Sequence, residues 1–239
     1  MSDLTARASH GGSATTLQAL LPAGSVAGDI VFVGVVNSTS TTPPTVPGTA
    51  IITAQAMGTG SIAATKYTLT ATDITNGYVT ITSAAAINWA AAVYNTGAST
   101  AQGSATLAKR AASQLTTTAP AAVINSGDTT VVMFFGKASA ETGGTVAPAM
   151  TMLDSWFSNT TAAASIAVGY YTGTTADRVL TSNVASANGA GVQVGYTPAS
   201  SGPPAVTFTW WDGTAEQAIS SLTYWDGAAE QPLDSVTFF

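Results

Sequence analysis

Short runs of β-branched and aromatic residues, each bounded by turn residues, recur through the first two hundred positions of this 239-residue chain. That texture is one of strands and turns. The clearest run, Gly28-Asp29-Ile30-Val31-Phe32-Val33-Gly34-Val35-Val36, opens on a turn dipeptide. A polar loop with Pro43, Pro44 and Pro47 follows, then further runs at 50–53, 63–70 and 77–82. In the last of these, Tyr78, Thr80 and Thr82 alternate with Val79 and Ile81, the period of a half-buried strand. The segment 84–94 pulls two ways. Its alanines favour helix, yet Ile87, Trp89, Ala91 and Val93 share one face at period two, so it reads as a buried strand. Residues 1–24 read as a polar arm or an opening edge strand, and 101–115 as a short helix or a loop.

The runs also repeat. Gly127-Asp128-Thr129-Thr130-Val131-Val132-Met133-Phe134-Phe135 restates the Gly28-Asp29 run, and Ser165-Ile166-Ala167 restates Ser61-Ile62-Ala63. More loosely, 191–196 parallels 89–94, ending on Tyr196 as the earlier segment ends on Tyr94. The offsets are 99, 104 and 102 residues. A bias towards Ala, Thr and Gly alone could also produce such likeness. Taken as real, the repeat gives about four strands per half, and eight antiparallel strands in two sheets is the count of a jelly roll. The expected fold class is therefore all-β: an antiparallel jelly-roll-like β-sandwich over 1–200, built from two similar halves (about 25–100 and 125–200).

Composition narrows the function. Charged residues make up only 8%, against roughly 25% in typical soluble domains, and 45 Ala and 40 Thr stand in their place. Cys is absent, which removes disulfides, thiolate nucleophiles and Cys-ligated metals. His10 is the only histidine, so no histidine metal cluster forms; it reads as an ordinary surface residue of a Ser/Gly-rich arm. The net charge of −6 argues against nucleic acid as a partner, because phosphate neutralisation needs Lys and Arg. No apolar stretch of about 20 residues is present to span a membrane. The first residues lack a basic segment leading into an apolar one, so no signal peptide is expected. Phosphate-loop, zinc-protease and nucleophile-elbow motifs are absent. Lys109-Arg110 reads as a solvated loop pair. Asn37-Ser38-Thr39 and Asn159-Thr160-Thr161 fit a glycosylation pattern without a secretory context. No cofactor, metal or enzymatic activity is expected.

Past Ser200-Ser201-Gly202-Pro203-Pro204, a linker by composition, the chain changes character. Trp211-Asp212-Gly213-Thr214-Ala215-Glu216-Gln217 returns fourteen residues later as Trp225-Asp226-Gly227-Ala228-Ala229-Glu230-Gln231, matching at six of seven positions. Each unit reads as an aromatic strand, an Asp-Gly turn and a short return strand. This C-terminal hairpin-repeat module, 201–239, holds three of the five tryptophans and no Lys or Arg. Its candidate binding or assembly residues are Trp210, Trp211, Asp212, Glu216, Tyr224, Trp225, Asp226 and Glu230. They suit a carbohydrate or cation site, since Trp faces stack on sugars and carboxylates bind hydroxyls or Ca²⁺. They equally suit turn support and packing.

The paired Gly-Asp strand openings, the Ile87-x-Trp89-x-Ala91-x-Val93-Tyr94 strand and the Trp-Asp-Gly-x-Ala-Glu-Gln repeat together resemble minor tail proteins of phages that infect actinobacteria. The first half departs from that pattern in lacking a Trp after Pro47-Gly48. The resemblance implies a structural component of a virion, a minor tail or tail-tip protein, assembled in the host cytoplasm. It further implies other virion proteins as partners, a homo-oligomer such as a trimer, and host attachment through a cell-surface glycan. A capsid decoration or head-fibre protein and a glycan-binding adhesin are the alternatives.

Overall fold

The computed structural model of the chain describes residues 5–97, 101–110, 114–123, 128–138, 143–157, 163–173, 176–186 and 188–197, and the backbone of 209–211, 216–218, 223–225 and 230–232. Two compact units result, Met1–Ala199 and Ser200–Phe239.

The first unit is an all-β, antiparallel sandwich, the class its period-two runs imply. Five strands come from the first half: β1 (Thr5–Leu20), β2 (Ile30–Asn37), β3 (Thr49–Met57), β4 (Gly60–Thr68) and β5 (Tyr78–Asn95). They hydrogen-bond in the order β1-β5-β2-β4-β3. Eight more follow: β6 (Ala101–Arg110), β7 (Gln114–Ala119), β8 (Thr129–Ala138), β9 (Gly144–Ala147), β10 (Thr151–Trp156), β11 (Ala163–Thr172), β12 (Arg178–Ser186) and β13 (Asn188–Thr197). They form a five-stranded sheet, β6-β13-β8-β11-β10, and a three-stranded one, β7-β12-β9. The strands therefore exceed the eight expected. Of the segment read as a short helix or a loop, residues 101–110 lie on strand β6 and 114–115 open β7, while 111–113 lie outside the described residues; Lys109-Arg110 closes β6.

The two five-stranded sheets share one order, with β6, β13, β8, β11 and β10 standing where β1, β5, β2, β4 and β3 stand. The small sheet has its counterpart too. The end of β1 pairs with the start of β5, and Thr45 bridges to Thr82. In the second half each long strand is broken in two, and the row Thr16–Thr82–Thr45 becomes Thr116–Thr181–Thr145. Even an irregularity recurs. β3 slips against β4 between Ala50 and Ile52, and β10 slips against β11 between Met152 and Asp154. Compositional bias alone does not place a bulge.

The pairing corrects one part of the sequence alignment. Val31 faces Tyr67 and Asn95, while Thr130 faces Tyr171 and Gly195. Val194, not Tyr196, therefore stands where Tyr94 stands. A slip of two residues keeps every side chain on its own face, so both tyrosines still enter the same core.

That core lies between the two five-stranded sheets. Phe32, Ile62 and Tyr94 of one meet Met133, Phe135, Ile166 and Tyr196 of the other. The opposite face of each sheet is covered as well. Val31, Val33 and Val35 pack under Leu17, Val79 and Ile81, while Val132 and Phe134 pack with Ala119 and Leu180. Central strands are consequently buried on both sides, which is why β2 and β8 read as near-continuous apolar runs. Each such large side chain contributes roughly 1.5–3 kcal/mol of burial. Gly34 permits the close approach of the sheets, since a Cβ there would lie 2.7 Å from Met133 Sδ.

Several polar groups inside this packing are tied down, although Thr130 Oγ1 and Arg178 Nε are buried without a hydrogen-bond partner among the described residues. The Tyr94 and Tyr196 hydroxyls share a buried hydrogen bond of 2.9 Å, with Phe32 edge-on to Tyr196. Burial pushes Tyr196 up to about 12 and raises Tyr94 further above the ordinary tyrosine value. Gln193 donates to the Ala119 and Ala176 carbonyls at 2.7 and 3.0 Å and accepts from the Tyr171 hydroxyl at 2.6 Å. The buried Arg178 guanidinium lies 3.7 Å over the Tyr171 ring, a cation–π contact.

One short helix, α1 (Ala71–Asn76), joins β4 to β5. Thr70 and Asp73 form its capping box and Gly77 its left-handed C-cap.

In the second unit, β14 (Thr209–Trp211) pairs with β15 (Glu216–Ala218), and β16 (Thr223–Trp225) with β17 (Glu230–Pro232). The two hairpins have the same register fourteen residues apart.

Candidate functional site

Of the residues singled out in the tail, Trp210, Trp211, Glu216, Tyr224, Trp225 and Glu230 fall on these short strands. Trp211 is the register partner of Glu216, and Trp225 of Glu230. Asp212 and Asp226 lie outside the described residues, as does Asn159.

In the sandwich, the described carboxylates mostly hold backbone. Asp29 accepts from Val26 N at 2.9 Å and Asn95 Nδ2 at 2.8 Å, which is the work of the Gly-Asp opening. Asp73 accepts from Thr70 N at 2.8 Å and from the Tyr67 hydroxyl at 2.9 Å. Asn37 is fully buried. Its amide accepts from Ser40 N at 2.8 Å and donates to Ser61 Oγ, so this sequon is closed to modification in the folded chain. Among the described residues no three His, Cys, Asp or Glu gather as a metal site, and no helix is long and apolar enough to cross a membrane.

A different grouping emerges where the two halves meet. β1 is an edge strand that bends at register shifts on either side of Ala14. The bend folds the strand back, so that Leu20 N donates to Ser9 Oγ at 3.3 Å. Trp89 of β5, paired with Gly11, is buried beneath the bend. From the other half, edge strand β10 approaches, and Asp154 Oδ2 accepts from Ala8 N at 2.8 Å. This contact sets Trp156 against His10, ring centroids 3.3 Å apart and planes within 6°. Partial burial lowers the His10 imidazole below its ordinary value.

The resulting groove encloses about 380 Å³ and is lined by Arg7, Ser9, His10, Gln18, Trp89 and Trp156, among others. Trp156 remains 36% exposed. The groove offers aromatic surface, a guanidinium and a side-chain amide. The single His of the chain is thus exposed, as expected, but it belongs to an aromatic stack. The partners are 146 residues apart in the chain, and only the meeting of two sheet edges joins them. No local motif could have linked them.

Compared with known proteins, the chain matches no family model, no curated protein and no solved structure.

Proposed function

We propose that this chain is a non-catalytic structural component of a phage virion, a minor tail or tail-tip protein that assembles as a homo-oligomer. The observation that carries this reading is the tail: two hairpins of one register, in a unit of its own. Strands of three residues bury little apolar surface, and isolated hairpins are marginal in water. Such a module gains stability by docking, on another copy or on a neighbouring protein. The sandwich complements it. Central sheets covered on both faces make a rigid body, and few surface charges mean little desolvation cost on assembly.

Immunogold labelling of purified particles tests the proposal. Label at the tail or its tip supports it. Label on the capsid favours a decoration or head-fibre role, and absence from particles refutes a virion role.

A further inference from the structure

We infer that the groove between β1 and β10 is a binding site for a neutral sugar ring. Its chemistry suits one. A pyranose presents an apolar C–H face, which packs on aromatic rings, and a rim of hydroxyls, which need directed donors and acceptors. The Trp156–His10 stack supplies the shelf. Arg7 contributes donors, and Gln18 both a donor and an acceptor. A volume of about 380 Å³ lies within the roughly 300–1,000 Å³ of small-ligand sites. The shelf is also held in place before any ligand arrives, because Asp154 fixes β10 to the backbone of Ala8.

The repeated architecture gives an internal control. His10 faces Ala90 across the β1–β5 ladder, and in the second half Lys109 faces Ala190. Trp89 faces Gly11 and Asn37, while its counterpart Gly189 faces Arg110 and Gly136. Trp156 faces Ile166, where Gln55 faces Ile62. The same strand order is thus completed without any of the three aromatic rings. The shared strand order does not by itself call for aromatic residues at these positions, and the three converge on one concave place. This site stands independently of the virion role, which could fail with the sugar site intact.

The test is titration of the ¹⁵N-labelled full chain with short oligosaccharides of glucose, galactose, mannose and N-acetylglucosamine, following the indole N–H signals. At least one sugar should shift the Trp156 signal saturably at concentrations up to about 10 mM. Trp156→Ala should weaken that binding at least about tenfold (about 1.4 kcal/mol). Gln18→Ala should weaken it by a smaller factor, and the double change Trp211→Ala, Trp225→Ala should leave it unaltered. Trp156→Phe, which keeps an aromatic face, guards against misreading a folding defect and should retain most of the affinity. The inference is overturned if none of these sugars moves the Trp156 signal, or if Trp156→Ala keeps its fold by circular dichroism and binds as well as the parent.

Discussion

Gly11 lies against the Trp89 indole so closely that an added Cβ would sit 2.6 Å from Nε1. The ring is buried in the cluster that holds Leu17, Ile87 and Ala91, which limits how far it can yield. Gly11→Ala should cost about 1–3 kcal/mol, measured as a lower chemical-denaturation midpoint; an unchanged midpoint would mean that the bend of β1 is softer than its contacts indicate. The buried tyrosine pair makes a second prediction. Tyr196→Phe leaves the Tyr94 hydroxyl without its partner, which should cost about 1–3 kcal/mol. Adding Tyr94→Phe should recover part of that loss, because the orphaned group is then gone. The pair also sets an alkaline limit. In the unfolded chain both hydroxyls ionise near pH 10, whereas burial holds them protonated in the fold, Tyr196 until about pH 12. The folded state then binds more protons than the unfolded one, so stability is intact below pH 10 and falls as pH rises towards 12. Denaturant midpoints measured across this window should drop less steeply in the double Phe variant.

At the scale of elements, α1 is too short to persist by propensity, and its ends hold it. Thr70→Ala removes both the cap on Asp73 N and a donor to the Asp73 carboxylate. The expected loss is about 1 kcal/mol in thermal or denaturant unfolding, and a null result would show that packing alone fixes the helix. The signals were in the sequence, Thr70 with Asp73 three residues on and Gly77 at the close, but six residues give no periodicity to draw attention to them. The strands were far more legible. β2, β5 and β8 announce themselves through β-branched runs, and the Ala-rich stretch of β5 shows its face through Ile87, Trp89 and Val93. Strands β6 and β7 were obscured because their Ala, Thr and Gly residues satisfy helix, loop and edge strand about equally. Register was hidden for another reason: matching Tyr94 to Tyr196 and matching it to Val194 put the same face inward, so apolar pattern cannot choose between them. The groove was illegible because both strands that build it are sheet edges, brought together only by the packing of one half on the other.

The whole molecule is a structure made twice, two sheets packed face to face and each covered on its outer side, with a second unit of paired hairpins. Among the described residues, the apolar clusters are formed within Met1–Ala199. A chain ended at Ala199 should therefore keep the β-type circular dichroism and a cooperative unfolding transition. The central claim is that the hairpin unit is what fastens this sandwich into a particle. Its most direct measurement is the amount of the shortened chain in purified virions, by quantitative immunoblot beside the full-length protein. The expected result is a folded, soluble chain that is lost from particles; equal incorporation of the two forms would contradict the claim.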